Sequence, residues 1–282
     1  MRARPNRRHL RAVFGTLWSL VTLLLGCSSE QDFARQGAQW TYLGQPIEGA
    51  DAKSFQVLDK HHARDRQSAW YCDTERKGQE YFLVRHVIIR RIDRADAASF
   101  STLKDGYARD RAAVYFEGRL MAGADPASFE PLYYGFARDA RQAWHDRVPI
   151  PGSRGADFHA IDVFHAEDGV RVYHALRTPI DGEPRVRVIE GVDRASFQSL
   201  EAGWARDAKT LYFAGRRVAG DPASHRMLDH GYSRTADRVF YVGQPVSRAD
   251  AASFEVLAEA GEDGADASDA KRRYRGGETL KP

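Results

Sequence analysis

The chain has 282 residues, 29% of them charged, and a net charge of +3. Five arginines (Arg2, Arg4, Arg7, Arg8 and Arg11) stand in the first eleven residues, so the rest carries about −2, and no nucleic-acid partner is expected from a basic pI that belongs to the leader. The two cysteines, Cys27 and Cys72, exclude a disulfide framework if Cys27 has another use.

In chain order, the basic leader is followed by an apolar run from Ala12 to Leu25. At 1.5 Å per residue this run spans only about 21 Å, short of a hydrocarbon core of about 30 Å. A basic start, a short apolar segment and a small residue at its end form the layout of a secretory signal. The segment Leu24-Leu25-Gly26-Cys27 resembles the bacterial lipobox, with Leu25 a less usual choice for its slot. That resemblance implies that residues 1–26 are a removed signal peptide and that Cys27 becomes the acylated first residue, inserted in the membrane through its lipid. Ser28, where an Asp would retain the protein at the inner membrane, points to an outer-membrane location facing the periplasm. Residues 27–32 are then a linker.

The next feature is an internal repeat. Motifs of the form Asp-x-x-Ser-Phe end on Phe55, Phe100, Phe129, Phe197, His225 and Phe254, with Phe158 a seventh anchor, at a basic period of about 29 residues. Three residues after the anchors stand Leu58, Leu103, Leu132, Ile161, Leu200, Leu228 and Leu257. Seven after come His62, Tyr107, Phe136, His165, Trp204 and Tyr232; ten after come Asp65, Asp110, Asp139, Asp168 and Asp207, with Thr235 the exception. Fifteen after come Trp70, Tyr115, Trp144, Tyr173, Tyr212 and Phe240. Phe33-Ala34-Arg35 and Tyr42 form a half unit in front.

The motif Asp, with Pro126 or Pro222 behind it, predicts a short helical turn carrying the anchor and the Leu on one face. The Asp ten after the anchor predicts a turn between two short strands, and Glu117-Gly118 or Ala214-Gly215 a second tight turn. The longer spacings before Phe100 and Phe197 fall at that second turn, where the strands run on. The expected fold is therefore all-β: tandem hairpin repeats with short helical turns over residues 33–259, a half repeat plus six to seven units. Units that cannot bury their rings alone should stack as a solenoid-like array, with propeller-like closure as the alternative. Residues 260–282, polar and Gly-rich, are expected to be a disordered tail.

The hairpins Asp110-Arg111-Ala112-Ala113-Val114-Tyr115-Phe116 and Asp207-Ala208-Lys209-Thr210-Leu211-Tyr212-Phe213 resemble the DKNYY repeat family of bacterial envelope proteins. Arg or Ala mostly replaces the family's Lys, and its Asn is not kept. The resemblance implies architecture and location and assigns no activity.

No nucleophile elbow, phosphate loop or CxxC motif is present. His159, His165 and His174 with Asp162, Glu167 and Asp168 can be drawn as a metal cluster, yet His62, His145, His165, His174 and His225 occupy slots where other units place a ring. The pairs Arg64-Asp65, Arg109-Asp110, Arg138-Asp139 and Arg206-Asp207 recur too regularly for tuned catalytic acids. No catalytic, metal or cofactor residue is assigned, and Cys72 is expected to be packed and unreactive. The function expected is a non-enzymatic binding or scaffold module of the envelope, with a protein or glycan partner. The alternative is an envelope hydrolase or metal-dependent enzyme sited in the divergent fourth unit, Arg154 to Arg187, with Glu80 to Arg91 as the other departure from the repeat.

Overall fold

The computed structural model describes residues 32–76, 78, 84–176, 185–261 and 263–281. Cys27, the signal segment and most of the linker lie outside them. Among the described residues every regular element apart from isolated helical turns is a β-strand, arranged in eight small antiparallel sheets. The half unit gives three strands, β1 (Phe33–Gln36), β2 (Gln39–Tyr42) and β3 (Gln45–Pro46). Each later unit gives a four-stranded meander. Unit 2 shows the pattern: β8 (Ser101–Thr102), β9 (Tyr107–Arg109), β10 (Val114–Phe116) and β11 (Arg119–Leu120), paired in that order.

The repeated polar residues account for the turns. Asp110 Oδ1 accepts from the amides of Ala112 (2.7 Å) and Ala113 (2.8 Å), closing the turn between β9 and β10. Its other oxygen accepts from the Asp96 amide, 2.8 Å away, and from the Tyr115 hydroxyl at 2.9 Å. Asp96 in turn accepts from the Ala98 amide and the Ser99 hydroxyl, and Ser99 Oγ accepts from the Arg111 amide. One carboxylate thus ties the start of a unit to its central hairpin. At the second turn Glu117 and Gly118 both have positive φ, 49° and 69°, the paired left-handed residues that match the twist of a two-residue hairpin.

The helical turn sits differently from the expectation. Where it is formed, as at Arg194–Ser196 and Pro222–Ser224, it ends at the anchor, which is already extended, and the next two residues make the unit's first strand. The cause is the cap: Asp193 and Asp221 satisfy only the first free amides, and three residues are too few to carry the turn as far as the Leu.

The sheets stack face to face. In β9 the ring of Tyr107 packs toward unit 3 and Ala108 toward unit 1; in β10 Val114 points forward and Tyr115 back. Both faces are therefore apolar, and small residues oppose large ones across strands: Ala63 faces Trp70, Ala137 faces Trp144 and Ala205 faces Tyr212. The Ala leaves room for the neighbouring ring, which is why those six residues are all 0–1% exposed. Among the described residues, seven core clusters join the eight sheets, each between consecutive sheets, and none joins the first to the last. A closed ring would need an eighth. The array is an open stack.

The long spacings behave as expected. β6 (Ala69–Glu75) and β7 (His86–Arg91) run on as a longer hairpin, and β18 (Val172–Ala175) pairs with β19 (Val186–Val188) across the second extension. The segment 260–282, expected to be disordered, instead supplies three strands of the last sheet: β29 (Ala267–Ser268), β30 (Arg273–Arg275) and β31 (Glu278–Thr279). Asp269 Oδ1 accepts from Lys271 and Arg272, while Oδ2 accepts from the Asp250 amide and the Tyr274 hydroxyl, repeating the unit's signature. Tyr274 is fully buried because it covers Phe254 and the face of unit 6. No helix among the described residues is long and apolar enough to cross a membrane.

Candidate functional site

The residues with chemical potential fall into two groups: those absorbed by stacking, and those left along the sides of the array. The recurring turn aspartates belong to the first. Asp110, Asp139, Asp168 and Asp207 are at most 5% exposed and saturated by backbone amides. Those bonds hold the Asp168 and Asp207 carboxyls below the usual range although burial pulls the other way. The partner arginines tie one unit to the next: Arg64 donates to the carbonyls of Ala97 and Phe100, Arg138 to Ala156 and Phe158, and Arg206 to Pro222.

The divergent fourth unit keeps this bridge with reversed polarity. Glu167 stands in the Arg slot and accepts from Arg194 of unit 5, which occupies a position held by Ala97 or Pro222 elsewhere. His165 and His174 are 0% and 2% exposed, with His174 Nδ1 lying 3.2 Å from His165 Nε2. His165 packs edge-on against Phe197, and His174 stacks on Phe164. Burial, with help from His165 and Arg187, pushes the His174 ring down to about 3. Ser199 donates to Asp162, and His165 Nδ1 lies 2.8 Å from the Ser199 hydroxyl. The serine and the aspartate meet the same ring nitrogen, so no relay from acid through base to nucleophile is built. His159 lies outside this cluster, exposed and 3.1 Å from Glu167. Among the described residues no group of three or more His, Cys, Asp or Glu is placed to hold a metal.

His62, His145 and His225 are buried as rings among rings. Cys72 is fully buried, and its thiol is pushed up to about 12 by burial and by Asp73, which suits packing and opposes thiolate chemistry.

What remains open lies along the side formed by the first strands and their turns. A groove of about 650 Å³ crosses units 4 to 6, lined by Asp162, Phe164, Ser199, Leu200, His225 and Met227. It shares Glu201 and Met227 with a second groove that runs on to Phe254 and Val256 in unit 7. On the same turn of unit 3, Tyr133 and Tyr134 are 68% and 55% exposed, with ring centroids 6.1 Å apart and Lys104 Nζ 4.1 Å from the Tyr133 centroid. Tyr134 holds a φ of 62°, a strained value for an aromatic residue. The repeat register places this pair where other units have Asp59-Lys60 or Glu201-Ala202, a departure the sequence reading passed over.

The fold and its saturated turns define a tandem-repeat all-β protein whose units pack only on their neighbours. The chain matches the DKNYY family over residues 33–148 and again, in overlap, over 81–231, and it belongs to that family. The same unit continues structurally through Thr279. No curated protein and no solved structure matches the chain significantly.

Proposed function

We propose that this protein is a non-enzymatic binding module of the bacterial envelope, made with a signal peptide over residues 1–26 and tethered by lipid on Cys27 to the periplasmic face of the outer membrane. The continuous groove over units 4 to 7 is the observation that supports the binding role: it is lined by Leu200, Met227 and Phe254, and no saturated turn carboxylate closes it. The partner is an envelope protein or glycan held along that side, where Tyr133 and Tyr134 of unit 3 are also exposed.

Photo-crosslinking in the native envelope from a reactive residue at Met227 should capture a defined partner, and one placed at Arg111 on another side should not. Equal capture from both positions would sink the groove as the binding surface. The tether is tested separately: the mature protein should begin at an acylated Cys27, and Cys27→Ala should release it from the membrane fraction.

A further inference from the structure

The two sides of the stack differ in charge. The fourth strands lie along one side of the stack, and contacts link them at three of the four junctions: Arg90 of unit 1 donates to the Glu117 carbonyl of unit 2, Arg185 of unit 4 pairs with Asp146 of unit 3, and Arg217 of unit 5 donates to the Gly191 carbonyl. Along this edge β7 contributes Arg90 and Arg91, β11 Arg119, β19 Arg187, and β23 (Arg216–Val218) Arg216 and Arg217, while Arg147 stands just before β15 (Val148–Ile150). No carboxylate lies within any of these strands, while Glu117, Asp146 and Glu190 border them and Asp146 pairs with Arg185. On the opposite side the first-strand turns carry Asp59, Asp105, Asp162 and Glu201 against Lys60 and Lys104. The charges are thus sorted across the width of the array although the chain beyond the leader is nearly balanced.

Edge strands commonly carry charge to prevent pairing with other sheets. That purpose is served by either sign, whereas here arginines outnumber carboxylates along the edge of five consecutive units. Arg91, Arg119, Arg147 and Arg217 are exposed, and the carbonyl contacts of Arg90 and Arg217 hold the guanidinium groups without neutralising them. Sheets packed face to face lie about 10 Å apart, so successive members of the row repeat at about that spacing. A row spread over five units meets an extended anionic surface at several points at once.

We infer that the Arg-lined edge of units 1 to 5 docks on a membrane surface of anionic phospholipid headgroups. The inference deepens the tethered-module reading, since a short lipid tether would hold this edge within reach of headgroups, but the contact itself needs no lipid on the protein. Docking the basic edge turns the opposite, grooved side away from the bilayer.

The test uses the full chain with Cys27→Ala, so that failure of the tether and failure of the edge are read separately. The protein is sedimented with vesicles of phosphatidylglycerol and phosphatidylcholine and with vesicles of phosphatidylcholine alone. Binding is expected only to the anionic vesicles, weakening as salt rises. Arg91→Glu, Arg119→Glu and Arg147→Glu together should reduce it about tenfold or more, since each basic side chain near such a surface contributes about fivefold. Lys53→Glu, Lys104→Glu and Lys209→Glu together change the net charge equally, away from the edge, and should leave binding within about twofold on the same scale. Should the triple arginine variant lose its fold, the single Arg→Gln variants at the same sites are compared instead. Equal binding to neutral vesicles, equal loss in the Arg and Lys variants, or binding only to a soluble acidic polysaccharide would each overturn the inference.

Discussion

Gly215 lies in the left-handed region at φ 73°, and a Cβ placed on it would stand 2.7 Å from the His174 Cβ of the preceding unit. Gly118 meets Tyr71, and Gly277 meets Tyr241, in the same way. The glycine of the second turn is thus required twice, by its own backbone and by the ring it covers. Gly215→Ala should cost about 2–3 kcal/mol in denaturant unfolding, adding overpacking to backbone strain, whereas Gly44→Ala, with φ 79° and nothing within 4 Å, should cost only about 1 kcal/mol. Asp139, 1% exposed, accepts from the amides of Asp125, Arg141 and Gln142. Asp139→Ala orphans these donors and should destabilise the fold by about 3 kcal/mol or more in the same assay. The His174 ring has a pH consequence. Its value falls from 6.5 to about 3 in the folded state, so between these limits the unfolded chain binds a proton that the native one does not. Stability is then complete above about pH 6.5 and declines as pH falls, with a slope approaching 1.4 kcal/mol per unit. His174→Phe, which copies Phe116 and Phe213, should flatten that part of the curve in pH-dependent melts.

At the scale of the element, an equivalent long side chain recurs at the junctions between units. Arg64, Arg138 and Arg206 reach forward to the next unit's opening turn, and at the fourth junction Arg194 reaches back to Glu167. Glu167→Arg alone sets two cations against each other and should lower the melting temperature, by up to about 1 kcal/mol of stability given the half-exposed setting. Adding Arg194→Ala recreates the arrangement of the other units and should restore most of the loss; an additive double variant would show that the junction does not work this way. The reversed polarity, read in the sequence as divergence that hinted at a site, is a compensated form of the same joint. The second half of the seventh unit, whose anchor Phe254 is legible in the repeat, is hidden for a related reason. Its Asp269 and Tyr274 keep their mutual spacing of five, but both are displaced five residues from their expected distance after Phe254, and Arg273 and Arg275 replace the flanking apolar residues. Tyr274 packs toward unit 6, and the two arginines beside it are exposed.

For the whole molecule, contacts between neighbours alone make stability a sum of unit terms and interface terms. Truncation after residue 260 removes three strands and uncovers Tyr232, whose hydroxyl donates to Asp266 at 2.7 Å. The truncated chain should lose a few kcal/mol from its C-terminal units and gain hydrogen exchange at Tyr232 and Val239, while exchange at Trp70 stays unchanged. Equal loss of protection in units 1 and 6 would show cooperative unfolding of the whole stack.

The sequence by itself determined the period, the turn aspartates, the hairpins and the placing of histidines in ring slots, because each is a local demand repeated in almost every unit. Repetition separates such demands from chance without any knowledge of distant contacts. Only the tertiary structure decided that the stack is open, that its last segment folds, and that arginines from four separate strands, with Arg147 before a fifth, lie along one edge. These depend on which surfaces meet across the chain, and on how many interfaces eight sheets make, and neither is encoded within a single unit.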